Sequence, residues 1–136
     1  MTTKQKLIEM FQVVDDRRFD EVTRYHSESC QYQMNHDELD GTAAFQQMCQ
    51  GWYAGFPDLR HEVLDLVEDG DRVAFTVRVT GTHTAPLQTP QGAVPATGKR
   101  IELRAIDVVQ LGADGRATSW HIYFDQLQFL QQLGIA

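Results

Sequence analysis

The sequence predicts a single α+β domain, and three observations carry that reading. Up to Gly55, apolar residues recur at helical spacing. From Leu59 onward the rhythm changes to alternation. Long alternating stretches joined by short glycine turns then read as an antiparallel meander. Helices that precede such a meander cover one face of a curved sheet.

Leu7, Met10, Phe11 and Val14 stand at i, i+3, i+4 and i+7, one face of an amphipathic helix. A short helix over Phe19 to Tyr25 would turn Phe19 and Val22 inward, and Cys30 to Met34 reads as a short strand. The polar run Asn35 to Gly41 reads as a turn. A helix over Thr42 to Ala54 carries the stripe Phe45, Met48, Cys49 and Trp52, with Asp40 or Thr42 as its cap and Gly55 and Pro57 at its end.

Leu59 to Glu68 and Arg72 to His83 are two strands joined at Gly70. In the second, Val73, Phe75, Val77 and Val79 share one face, and Thr76, Arg78 and Thr80 the other. Thr84 to Gly98 holds three of the four prolines and reads as a long functional loop such as a lid. Strands over Lys99 to Leu111 and Ala117 to Phe124 follow. Asp125 then caps a final helix that turns Leu127, Leu130 and Leu133 inward and stops at Gly134.

With 136 residues and 42 % hydrophobic content, the chain suits one domain with a real core. A net charge of −7 with scattered basic residues argues against non-specific grip on nucleic acid or anionic membranes. Met1 to Gln12 lacks the apolar core of a signal peptide, and no stretch is long and apolar enough to span a bilayer. The expected location is the cytoplasm, with Cys30 and Cys49 as reduced thiols. Neither cysteine, nor His26, His36 or His61, has the spacing of a metal site, so no metal is expected. No glycine-rich phosphate loop follows a strand, so no cofactor is expected either.

Several runs, taken together, resemble the SnoaL-like polyketide cyclases. They are Gly81-Thr82-His83, Ala96-Thr97-Gly98-Lys99, Ile106-Asp107-Val108, Tyr123-Phe124-Asp125-Gln126-Leu127 and Gln131-Gln132-Leu133-Gly134. These cyclases share a fold with nuclear transport factor 2, ketosteroid isomerase and limonene epoxide hydrolase. The resemblance covers nearly the whole chain and implies a cone, in which a curved sheet with N-terminal helices encloses a pocket. It places Tyr32, Met34, Leu103, Ala105, Asp107, Val109, Trp120, Ile122 and Phe124 on the inner face. It also implies chemistry with two departures. Met34 stands where isomerase-like members carry an aspartate base. Ile122 stands where cyclase-like and epoxide-hydrolase-like members carry a catalytic aspartate. Neither side chain moves a proton. A one-residue slip would bring Asn35 or His121 to those places and invert the faces of both strands.

Asp107, alone among Ala105, Ile106, Val108 and Val109, is the first catalytic candidate. A carboxyl in an apolar pocket is driven toward its neutral form, which suits an acid, a base or a donor to a carbonyl. Tyr32 is the second candidate, as a phenol donor. His83 is the third, at the strand end beside the long loop. The expected substrate contacts are Trp120, Met34, Ile122, Phe124, Val77, Leu103, Phe45, Met48 and Trp52. Asp125 is explained by its cap alone, and His121 faces outward. Arg78, Arg104 and Glu102, with Ile106 and Val108, suit a homodimer contact on the outer sheet face.

Two functions fit. One is a cofactor-free enzyme moving protons on an apolar carbonyl compound, as an isomerase, cyclase or aldolase-like catalyst. The other is a non-catalytic module that binds a small apolar ligand or dimerises, which Met34 and Ile122 favour. A protein-interaction domain like the transport factor has no positive sign in the sequence.

Overall fold

The computed structural model describes residues 1–89 and 92–136. Pro90, one of the prolines that mark the long loop, lies outside the described residues.

Helix α1, Thr3–Asp15, buries Leu7, Met10, Phe11, Val13 and Val14, the expected stripe plus one. Thr2 and Gln5 close its first turn as a reciprocal capping box. A 3₁₀ helix, Phe19–Arg24, buries Val22 completely, while Phe19 is only half-buried. Helix α2, Gly41–Gly55, buries Thr42, Phe45, Cys49 and Tyr53, with Met48 and Trp52 half-buried beside them. Asp40 occupies its N-cap position, yet its side chain makes no capping hydrogen bond, and Thr42 is buried inside the helix.

The main sheet has six strands in the order β2-β1-β8-β7-β4-β3. They are β1 His26–Met34, β2 Asp37–Asp40, β3 Arg60–Asp69, β4 Arg72–Thr82, β7 Arg100–Leu111 and β8 Ala117–Tyr123. Three features differ from expectation. β1 begins at His26, four residues before the expected start at Cys30. The polar run after it is a hairpin: Met34 pairs with Asp37, and Asn35 takes a φ of 52° in the turn. Asparagine tolerates that left-handed conformation better than most residues. Third, β1 runs parallel to β8, so the sheet is not wholly antiparallel.

The remaining pairs are antiparallel, and β4 pairs with β7 along its whole length, from Arg72↔Gln110 to Thr82↔Arg100. Their register puts Val73, Phe75 and Val77 on one face with Leu103, Ala105, Asp107 and Val109, all buried. Glu102, Arg104 and Ile106 point the other way and are exposed. The greasier face turns toward the helices because apolar area leaves water there.

The expected loop is partly structured. β5, Leu87–Thr89, pairs with β6, Gly92–Val94, as a small separate hairpin. Leu87 is buried against Gly55, where an added Cβ would lie 3.1 Å from the Leu87 Cβ. The end of α2 therefore depends on a residue without a side chain. Helix α3, Gln126–Gln132, is capped by Asp125, which accepts from the Gln128 N–H at 3.0 Å. Here the inward set differs from expectation. Phe129 and Leu133 are buried one turn apart, whereas Leu127 is 59 % exposed. In so short a helix only one i, i+4 pair reaches the core.

Candidate functional site

The inner face of the sheet, α1 and α2 surround an apolar cavity of about 110 Å³. Asp107, Trp120, Met34, Ile122, Phe124, Val77, Leu103, Phe45, Met48 and Trp52 all line it. So do residues not singled out in the sequence, among them Phe11, Tyr53 and His61. An apolar cavity of about 150 Å³ holds a benzene, so this one has the scale of a single ring.

Asp107 is 2 % exposed. On β7 it stands opposite Phe75 of β4 and Ile122 of β8, while Val109 stands opposite Trp120. Asp107 and Trp120 are therefore diagonal neighbours on the same face. The Trp120 indole N–H donates to Asp107 Oδ2 at 2.9 Å. Oδ1 is buried with no hydrogen-bond partner among the described residues. Burial pushes this carboxyl up to about 7, against the smaller opposing effects of the Trp120 hydrogen bond and the nearby His61. The neutral form is the cheaper one in such surroundings. With Oδ2 accepting from Trp120, the carboxyl proton belongs on Oδ1, the free oxygen.

Tyr32 and His83 stand elsewhere. Tyr32 does not line the cavity; its ring stacks on Phe45 at 4.5 Å, and its hydroxyl meets His26 Nδ1 at 2.7 Å. His26 Nε2 lies 3.1 Å from Met10 Sδ. A thioether only accepts, so Nε2 carries the proton and Nδ1 accepts from Tyr32. The hydrogen that Tyr32 was expected to offer a ligand is thus given to His26. The completely buried His26 is pushed down to about 3 by loss of hydration.

His83 is also completely buried and outside the lining. It stacks on Phe56 at 5.1 Å, and its Nδ1 faces the Thr97 hydroxyl at 3.0 Å. Its backbone N–H donates to Lys99 O and its carbonyl accepts from Gly98 N–H. These contacts tie the base of the long loop to β4, and burial lowers the imidazole from its ordinary value. The described residues of that loop take no part in the lining.

Met34 and Ile122 are direct partners across β1 and β8, and both line the cavity. The alternative register is absent. His121 pairs its ring with Tyr123 away from the lining, and Asn35 Oδ1 accepts from the Phe124 N–H at 3.0 Å.

The feature that sequence reading missed is built on Asp15, the last residue of α1. Asp15 Oδ1 receives the Tyr53 hydroxyl and faces His61 Nδ1 at 2.8 Å, while Oδ2 accepts the His61 backbone N–H at 3.0 Å. The His61 ring stacks on Phe11 at 4.9 Å, and Phe11 meets Trp120 edge-on at 6.4 Å. No sequence spacing joins residue 15 to residue 61; helix packing against β3 does. Among the described residues, no three His, Cys, Asp or Glu side chains gather as a metal site. Both cysteines are free and buried, and burial pushes Cys49 up to about 12. Among the described residues, no helix is long and apolar enough to cross a membrane.

A curved, mostly antiparallel sheet with helices over its apolar face defines the α+β class of nuclear transport factor 2-like proteins. Solved structures bear this out. TsrD from Streptomyces laurentii is 20 % identical, with a TM-score of 0.85, over 100 % of this chain and 99 % of that one. IdmH from Streptomyces antibioticus is 21 % identical with a TM-score of 0.80, over 98 % and 99 %. A SnoaL-like polyketide cyclase from Agrobacterium tumefaciens str. C58 is 19 % identical with a TM-score of 0.78, over 98 % and 99 %. At these identities the likeness shows the fold. No curated protein matches the sequence. The family itself comes from sequence: the model of the SnoaL-like polyketide cyclases matches residues 5–133, and the chain belongs to that family.

Proposed function

We propose that this chain is a cofactor-free enzyme of the cyclase or isomerase type. Its substrate is a small, uncharged, apolar carbonyl compound, and its reaction is proton transfer next to the carbonyl. One observation carries this reading: a buried carboxyl in the lining of an apolar cavity, with one oxygen held by Trp120 and the other without a partner among the described residues. A neutral carboxyl of that kind gives a hydrogen bond to a carbonyl oxygen, and an ionised one takes a proton from the adjacent carbon. Family membership supports a small-molecule cyclase-type role. The size of the cavity favours a substrate whose reacting end is one ring.

The test is proton exchange in D₂O, followed by NMR on one-ring enolisable ketones such as cyclohexanone. Exchange at the α carbon faster than in buffer, lost in Asp107→Asn with the fold kept, supports the enzyme. Ligand line broadening without exchange supports a second reading, a binding module. Met34 and Ile122 favour that second reading, because they bring two apolar side chains to the places where relatives carry acids. The exposed Ile106 and Tyr123 on the outer face suit a homodimer contact. A monomer by sedimentation equilibrium at micromolar concentration would exclude that pairing.

A further inference from the structure

We infer that His61, oriented by Asp15, is the proton-accepting residue of this cavity and works opposite Asp107. The inference rests on the proposed reading of the cavity as a site of proton transfer. Its basis is geometric. Asp15 takes three donors, from the Tyr53 hydroxyl, the His61 backbone N–H and the His61 ring. An aspartate accepting from Nδ1–H places the imidazole proton on Nδ1 and leaves the lone pair on Nε2. Among the described residues Nε2 has no partner, and the ring that carries it lines the cavity. Stacking on Phe11 and the backbone bond to Asp15 hold the ring plane. Two lining residues thus each carry a polar atom without a partner among the described residues, His61 Nε2 on β3 and Asp107 Oδ1 on β7.

The two groups complement one another on a single ketone. The carbonyl oxygen sits against Asp107 Oδ1–H. His61 Nε2 takes the proton from the α carbon: the C–H bond breaks, an N–H bond forms, and the C–H electron pair becomes the C=C bond of the enolate. The carbonyl π pair moves to oxygen, where the Asp107 hydrogen bond takes up the charge. Return of the proton from the imidazolium to a conjugated carbon completes isomerisation; when the imidazolium first trades that proton for a solvent deuteron, return to the same carbon completes exchange. No oxidant, reductant or metal enters the balance. Asp15 is a positioning residue, since it touches only His61 and Tyr53 at this site and never the substrate.

The groups that face the pair are few. His61 meets Asp15 of α1, Tyr53 of α2 at 3.5 Å and, through space, Asp107 of β7; its partner on β4 is Val79, and Arg60 adjoins it in the chain. Asp107 meets Trp120, with Phe75 and Ile122 as uncharged strand partners. Exchange therefore falls on the alkaline side as Asp107 ionises, near its value of about 7.

The test measures cyclohexanone α-proton exchange across pH for the wild type, His61→Gln and Asp107→Asn, with binding read from ketone line widths. The expected result is a wild-type rate that falls as pH rises through about 7 and a loss of at least about 100-fold in His61→Gln with binding retained. Exchange within about threefold of wild type in His61→Gln would overturn the inference and leave Asp107 as the base, with the proposed function standing. A wild type that binds without exchange would overturn both. Should His61→Gln not fold, ¹⁵N-histidine spectra of the wild type decide instead. The inference requires a bare Nε2 whose resonance moves when cyclohexanone is added. A bare Nδ1 refutes it.

Discussion

Two buried titratable groups should give this protein opposing pH dependences that hide one another, and substitution of Asp107 should expose them. Asp107 holds its proton up to about pH 7 in the folded state, against an ordinary value of 3.8. Between those values the folded chain binds a proton that the unfolded chain has lost, so stability falls as pH rises. Each pH unit is worth about 1.4 kcal/mol, which makes the full effect roughly 4 kcal/mol. His26 acts the other way. It is pushed from an ordinary 6.5 to about 3, so between those values the unfolded chain binds the extra proton and stability falls as pH drops. Over the shared window, from about pH 4 to 6.5, the two slopes cancel.

Asp107→Asn removes one of them. The stability of wild type minus that of the variant should fall by roughly 4 kcal/mol between pH 4 and pH 7, at about 1.4 kcal/mol per unit. Urea unfolding followed by circular dichroism at unit intervals of pH measures this difference, and groups common to both chains drop out of it. His26→Gln should give a difference of the opposite slope. A difference for Asp107→Asn that stays flat within about 0.5 kcal/mol from pH 4 to 7, well below the expected change, would refute the buried neutral carboxyl.

Tyr32→Phe should cost about 1–3 kcal/mol, because His26 Nδ1 loses its donor in a fully buried place; thermal unfolding measures it. Trp120→Phe keeps an aromatic ring but removes the N–H that holds Asp107 Oδ2. The carboxyl should then titrate higher than in the wild type, as read by ¹³C NMR of labelled aspartate. Asp125→Ala should lower stability by about 1 kcal/mol through loss of the α3 cap, without changing cavity binding. Gly55→Ala should destabilise even though alanine's helix propensity favours it by about 1 kcal/mol, since the new methyl meets Leu87; chemical unfolding tests the sign.

Much of the cavity was legible because alternation carries face information. Once Val73, Phe75 and Val77 are taken as inward, Leu103, Ala105 and Asp107 follow by strand pairing, and Trp120 and Ile122 after them. Tyr32 shows the limit of that logic. It has the right parity and is buried, but its hydroxyl bonds to His26, a residue that sequence reading left outside the strand. Parity assigns a face and not a hydrogen-bond partner. Leu127 failed for a related reason, since helical spacing allows several inward sets in a helix of two turns.

The order of elements, the faces of the strands, the Asp125 cap and the candidacy of Asp107 follow from local pattern: side-chain periods, turn residues and one acid in an apolar run. Those signals lie within a few residues of one another. The Asp15–His61 pair, the β1–β8 parallel contact and the His26–Tyr32–Met10 cluster join positions far apart in the chain. Nothing in local periodicity encodes a contact between the end of α1 and the start of β3. Packing of the helix against the sheet sets that distance, and only the folded structure decides which nitrogen of His61 is left free.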